Sequence, residues 1–244
     1  MDFSKTTTIG EIVAADYRTA TLFSTLGIDF CCKGQETLEN VCLAKQLDID
    51  NIKSELTEIM SKNSDTSVDF KSWEIDLLAD YIEKTHHRYT EDQSQAILPL
   101  LEKLCNVHGS NHPELFEVNQ LFKESAQDLA AHMKKEELIL FPFIRKMALA
   151  KRNGEELVQP RFGTIENPIA MMMHEHDGEG ERFRKIAELT ENYNPPADAC
   201  TTYQTTLNML NDFEKDLHKH IHLENNILFP KAINAQQELT GIIS

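Results

Sequence analysis

At 244 residues, 41% of them hydrophobic, the chain suits one large domain or a main domain with a smaller companion, and it is too apolar for a disordered polymer. A formal net charge of −16 repels phosphate backbones and anionic lipid heads, so nucleic acid and membrane surfaces are excluded as expected partners. The N-terminus lacks the basic-then-apolar pattern of a leader, no apolar run nears the roughly 18 residues that span a bilayer, and the five cysteines are irregularly spaced, so the expectation is a cytoplasmic chain with reduced thiols.

In chain order, residues 1–62 read as a small helical N-terminal domain. Thr8 and Glu11 make a capping box ahead of "IVAADYRTATLFSTL", and Gly27 ends that helix. "DFCCKG" is a turn carrying the adjacent Cys31 and Cys32, after which helix resumes near Thr37 and again near Asn51. The polar stretch 61–69, "SKNSDTSVD", reads as a linker. Residues 70–244 hold four long helices. The first spans about 72–106, capped by Asp69 or Ser72 and open to a bend at Pro99, and the second starts at Pro113 and runs to about Met147. The third opens at Asn167–Pro168 and runs to about Glu191, and the fourth covers about 199–236. No alternating run reads as a strand. The fold class is therefore all-α, an antiparallel four-helix bundle preceded by the small helical domain.

The chain writes one motif twice. "HMKKEELILFP" (132–142) and "HIHLENNILFP" (220–230) lie 88 residues apart and share H-x-x-x-E-x-x-I-L-F-P. Residues four apart lie on one helix face, so His132 with Glu136, and His220 with Glu224, each present an imidazole and a carboxylate to one point. The Ile and Leu that follow, at +7 and +8, are expected on the same core-facing stripe. Ionisable groups on such a stripe need a partner that offsets their desolvation, and a metal ion does so for both. Upstream, His87 lies 45 residues before His132, and His176 lies 44 before His220. Two helical hairpins of one design would supply four imidazoles and two carboxylates. Imidazole plus carboxylate without thiolate suits iron, manganese or zinc. Two closely spaced ions bridged by carboxylates in a bundle favour iron, with an oxo or hydroxo bridge leaving open positions for a small ligand.

The other histidines are weighed singly. His176 shares its face with Ile169, Met172, Met173 and Phe183, so it is preferred to His174. His86 shares the stripe of Ile75, Leu78, Ala79 and Ile82, whereas the repeat spacing points to His87, and the two arguments conflict. His218 and His222 fall roughly 200° around the helix from His220 and are expected on the outer face. His108 and His112 belong to a loop, and Cys42, Cys105 and Cys200 read as structural.

The series "HHRY…VHGSNHPEL…HMKKEELILFP…HEHDGEG…HIHLENNILFP", with "TIGEIVAADYRTATLFSTLGIDFCCKG" before it, resembles the iron–sulfur cluster repair di-iron proteins (the RIC, or ScdA/YtfE, family) over nearly the whole chain. The resemblance implies a hemerythrin-like bundle with a centre of two iron ions. By motif the ligands are His87, His132, Glu136, His176, His220 and Glu224, with both glutamates bridging. In that family the lone ligand of the first helix lies 21 residues before the "VH" that closes it; counting back from His108 gives His87. The resemblance further implies repair of clusters damaged by nitric oxide or oxidants, by donation of iron to damaged iron–sulfur proteins. Cys31 and Cys32 would then serve as redox or iron-transfer thiols. A nitric oxide-reducing di-iron enzyme and a hemerythrin-like sensor binding O2 or nitric oxide are the alternatives. A homodimer is a family expectation that nothing in the periodicity shows.

Overall fold

The structure, a computed structural model, describes residues 3, 6–62, 68–158 and 160–241. Thr8 opens the first helix with the expected capping box: the Glu11 amide donates to Thr8 Oγ1 at 3.2 Å and the Thr8 amide to Glu11 Oε2 at 2.9 Å. The helix expected through Leu26 is two helices, α1 (Ile9–Ala15) and α2 (Thr19–Thr25). Asp16 breaks it by turning extended (φ −153°) while its carboxylate accepts hydrogen bonds from the Arg18 amide and guanidinium. Gly27 supplies the left-handed residue (φ +62°) after α2. Thr37 then caps α3 (Leu38–Lys45) and Asp48 caps α4 (Ile49–Ser61). Of the expected linker, residues 63–67 lie outside the described residues.

Each long helix except the third contains one widened π turn. The first is α5 (Ile75–Tyr81), a π turn over Ile82–His87, then α6 (Arg88–His108), which continues through Pro99. No side chain caps α5; Asp69 and Ser72 flank or join a short 3₁₀ turn over Phe70–Ser72. The second is α7 (Glu114–Lys135), a π turn over Glu136–Leu140, and α8 (Phe141–Asn153). The third, α9 (Glu166–Leu189), is unbroken. The fourth is α10 (Thr201–Leu223), a π turn over Glu224–Leu228, and α11 (Phe229–Leu239). The repeated "ILFP" explains two of the three. Pro142 and Pro230 have no amide hydrogen, and each ring would strike the carbonyl four residues back, so the turn ahead of each proline opens by one residue. The Ile82–His87 turn has no such proline.

The extra residue alters which side chains face inward. Leu140 is buried, but Ile139, expected beside it on the core stripe, is 51% exposed. A core-facing stripe at 3.6 residues per turn does not survive a π turn, which adds a residue to the turn. In the second copy both Ile227 and Leu228 are buried, because the N-terminal helices cover that face.

Helix α6 packs on α7 and α10, α7 on α9, and α5 on α8. Two apolar clusters fill the molecule. One joins the N-terminal unit (Phe23, Leu38, Leu56) to one end of the bundle, where Phe122, Phe183 and Phe213 meet. The other fills the opposite end with Leu78, Ile82, Phe141, Ile169 and Phe229. Among the described residues there is no strand, only an isolated bridge between Thr8 and Thr37, and no helix is long and apolar enough to cross a membrane.

The N-terminal unit sits on α10 and the π turn after it. Gly10 and Gly34 permit the approach: a Cβ on either would lie 2.4 or 2.2 Å from Asn226 Oδ1. This docking corrects the expectation for His222. It does point away from the bundle centre, but it is buried beneath Tyr17 and Phe30, with ring centroids 5.8 and 5.9 Å away. His218 is likewise shielded, by Phe30.

Glu214, on α10, carries a testable cost of this packing. Burial raises its carboxyl to about 6 from 4.5, with Tyr193 and Lys215 pulling part of the way back. A folded-state value above the unfolded one means that the stabilising, protonated form is present below pH 4.5 and its benefit is lost as pH rises through about 6. Glu214→Gln should therefore stabilise the fold by up to about 2 kcal/mol at neutral pH and by nothing at acidic pH. Urea denaturation of both proteins at two pH values measures the difference.

Candidate metal centre

The six side chains singled out by the repeat meet between the two apolar clusters. His87 ends the first π turn, His132 is in the last turn of α7, and Glu136 opens the π turn that follows. His176 comes from α9, His220 from the end of α10, and Glu224 opens the last π turn. None is more than 3% exposed. Their ligand atoms form two overlapping sets: His87, Glu136, His220 and Glu224, and His132, Glu136, His176 and Glu224. Both carboxylates belong to both sets. Each imidazole pair draws on both hairpins, so neither hairpin could build half a centre alone.

The distances suit ligation. His87 Nε2 lies 3.3 Å and His132 Nε2 lies 3.4 Å from Glu136 Oε2. His176 Nε2 lies 3.2 Å from Glu224 Oε2, and His220 Nε2 lies 3.1 Å from Glu224 Oε1. Neighbouring ligands on one ion, at bonds of about 2.1 Å, stand roughly 3 Å apart. His87 Nε2, both Glu136 oxygens and Glu224 Oε2 are buried without a hydrogen-bond partner, an arrangement that costs stability unless a cation fills it.

The outer ring nitrogens fix the direction of the inner ones. Nδ1 of His132 donates to Glu175 Oε2 at 2.8 Å, and Nδ1 of His87 to Glu137 Oε1 at 3.0 Å. Nδ1 of His176 donates to Asn225 Oδ1 at 2.9 Å. In neutral rings those bonds leave lone pairs on Nε2, yet the Nε2 atoms of His132 and His176 face each other at 3.1 Å. A proton or a metal ion must lie between them. His220 Nδ1 has no hydrogen-bond partner among the described residues, and its ring stacks on His86, which is tied to Asp216 at 3.0 Å. Both His86 and His87 are buried, but only His87 reaches the carboxylates. His174 is exposed on α9.

Electrostatics fit a cation site. Burial and the Glu224 charge would each raise Glu136, but His132 and His87 outweigh them and hold it below the usual carboxylate value. Burial also opposes ionisation of Glu224, which His220 and His176 keep well below its usual value. Burial disfavours charge on His132, yet Glu136 and Glu224 raise it to about 9. Burial lowers His220, with the Glu224 charge offsetting only part. Without metal His132 keeps a proton at neutral pH, so metal binding there releases it.

Sequence reading missed the three outer partners, Glu137, Glu175 and Asn225. The repeat contained a signal for two. Glu137 and Asn225 each follow the motif glutamate, 88 residues apart, and support His87 and His176 respectively. The second copy needs an amide because Asn225 Nδ2 also donates to the Cys31 carbonyl at 3.3 Å, which a carboxylate could not do. Cys31 and Cys32 lie beside the centre: Cys31 is buried, and the Cys32 thiol donates to the His176 carbonyl at 3.5 Å. Hydrogen bonding to Cys32 and burial raise the Cys31 thiol well above its usual value. Cys42 and Cys105 are buried, whereas Cys200, expected to be structural, is exposed, 3.2 Å from His108 Nε2. Amide donors from Tyr203, then His108, lower its thiol to about 7.

Comparisons with known proteins agree with this geometry. Residues 78–232 match the hemerythrin HHE cation binding domain, and residues 5–60 match ScdA_N, a domain of unknown function (DUF542). The chain is 34% identical to an iron-sulfur cluster repair protein YtfE of Enterobacter sp. (strain 638), over 92% of this chain and 96% of the relative. It is 34% identical to one of Pectobacterium carotovorum, over 93% and 97%. Identity to an iron-sulfur cluster repair protein ScdA of Staphylococcus epidermidis is 28%, over 90% and 95%. The chain therefore belongs to the YtfE/ScdA family of iron–sulfur cluster repair proteins.

Proposed function

We propose that the bundle holds two iron ions and donates iron to damaged iron–sulfur proteins in the cytoplasm. His87 and His220 would ligate one ion, His132 and His176 the other, and Glu136 and Glu224 would bridge them. The observation that carries this reading is the pair of four-residue sets that share both carboxylates. Iron supplies a dinuclear, exchangeable cation store; the rest falls to the chain. Glu137, Glu175 and Asn225 turn three imidazoles inward. The apolar clusters on either side limit water. The site has no thiolate, so it holds iron(II) less firmly than the sulfide- and thiolate-lined targets that receive it.

A cavity of about 580 Å³ reaches His132 and His176, and the carboxylates that line it are largely paired there, Glu175 with Lys135 and both Asp128 and Glu179 with Arg182. All five cysteines are free, which suits a reducing compartment. We take residues 1–62 as a separate thiol-bearing domain docked on residues 70–244. The test uses an aconitase-type enzyme whose cluster has been damaged by nitric oxide. The iron(II)-loaded chain should restore its activity, and the Glu136→Leu/Glu224→Leu double variant should not. Equal repair by both would refute the reading.

A further inference from the structure

The turn Asp29–Cys32 brings a carboxylate and two thiols to one point, with all three potential ligand atoms within 4.8 Å of one another. The Cys31 and Cys32 sulfurs are 3.7 Å apart. That is far from the roughly 2.05 Å of a disulfide and close to the roughly 3.8 Å between two sulfurs on one tetrahedral ion with bonds of about 2.3 Å. Asp29 Oδ1 lies 3.4 Å from Cys31 Sγ, again near the roughly 3.5 Å of an oxygen and a sulfur sharing such an ion. The amides of Cys31 and Cys32 donate to the same oxygen, at 3.2 and 2.9 Å, and hold the carboxylate toward the thiols.

The surroundings connect the turn to the bundle, and Arg184 of α9 pairs with the other Asp29 oxygen, Oδ2, at 3.2 Å. Gly180 lies opposite Cys32, where a Cβ would stand 3.2 Å from its sulfur. A cleft between the N-terminal unit and helices α9 and α10 opens onto Asp29 and Cys31, so a fourth ligand position has access to solvent or to a partner. Asn225 bonds both His176 Nδ1 and the Cys31 carbonyl, and Cys32 bonds the His176 carbonyl. The turn and the dinuclear centre therefore share His176 as a common neighbour.

We propose that Asp29, Cys31 and Cys32 form a second, mononuclear metal site, which takes iron(II) as cargo on its way from the bundle to a target. The cargo role rests on the repair reading; the site itself does not. Binding forms two metal–sulfur bonds and one metal–oxygen bond and releases two thiol protons to water, with no change of oxidation state. Thiolates bind borderline divalent ions more tightly than imidazole and carboxylate do, so the step runs toward the cysteines.

The probe is cobalt(II), added anaerobically to the full chain with its bundle already filled with iron, in a Cys200→Ser background that removes the exposed thiol. One further equivalent should bind, with a near-ultraviolet sulfur-to-cobalt charge-transfer band and sulfur neighbours in the cobalt X-ray absorption spectrum. Asp29→Asn should weaken binding at least tenfold while keeping the band, and Cys31→Ser/Cys32→Ser should abolish it with the bundle iron unchanged. Absence of the band in the parent chain, or its persistence in the double serine variant, overturns the proposal. Such a result with repair activity intact would leave the repair reading standing. Loss of bundle iron in the parent chain would count against the repair reading and not against the thiol site.

Discussion

Glu136→Leu should remove both metal ions from the bundle, whereas His87→Ala should weaken one. The difference follows from membership. Glu136 and Glu224 each belong to both ligand sets, but His87 pairs only with His220 and His132 only with His176. Deleting one imidazole leaves the other ion with its full set. Deleting a carboxylate takes a ligand from both ions and leaves the second carboxylate facing imidazoles alone. The affinity loss at the affected ion should exceed the roughly 10–100-fold typical of losing an outer-shell partner. Metal analysis after anaerobic loading and desalting reads the outcome: near two for the parent chain, near one for His87→Ala, near zero for Glu136→Leu or Glu224→Leu. Equal losses from the histidine and glutamate variants would contradict shared carboxylates.

Metal loading should also raise stability strongly. The centre buries two carboxylates and four imidazoles, and several of their atoms have no partner but a cation. A ligand bound only by the folded state stabilises it by about 2.7 kcal/mol at one hundred times its dissociation constant. The chelator-treated chain should therefore melt well below the iron-loaded one, and the gap should vanish in the Glu136→Leu/Glu224→Leu variant. Calorimetry on the four samples checks this. An unchanged gap in the double variant would place the stabilising metal elsewhere.

Much of this site was legible in the sequence because it is written twice. The 88-residue repeat supplied His132, Glu136, His220 and Glu224, and one helical turn of spacing put each pair on a common face. What stayed hidden has one physical source in each case. The conflict between His86 and His87 was the trace of a π turn: periodicity assumes a uniform helix, and Ile82–His87 is not one. The same assumption placed Ile139 inside. His222 looked exposed because helix periodicity within the bundle cannot see a neighbouring unit, and the contacts of Gly10 and Gly34 with Asn226 join residues more than 190 positions apart. Asp16 broke the first helix through a side-chain bond to Arg18 that no apolar pattern records.

The pseudo-symmetry is also incomplete in a useful way. Glu137 and Asn225 occupy matching positions, yet only Asn225 has a donor to spare for the Cys31 carbonyl. Leu138 is 73% exposed, while its counterpart Asn226 is covered by the N-terminal unit. The second hairpin has thus been adapted to hold the thiol-bearing turn and the first has not. The six buried side chains are arranged symmetrically; the contacts to the cysteine turn are not.

The most direct measurement is anomalous diffraction at the iron absorption edge from crystals of the iron-loaded chain. Two peaks are expected between Glu136 and Glu224, one beside His87 and His220 and the other beside His132 and His176. A single peak, or peaks away from these six side chains, would contradict it.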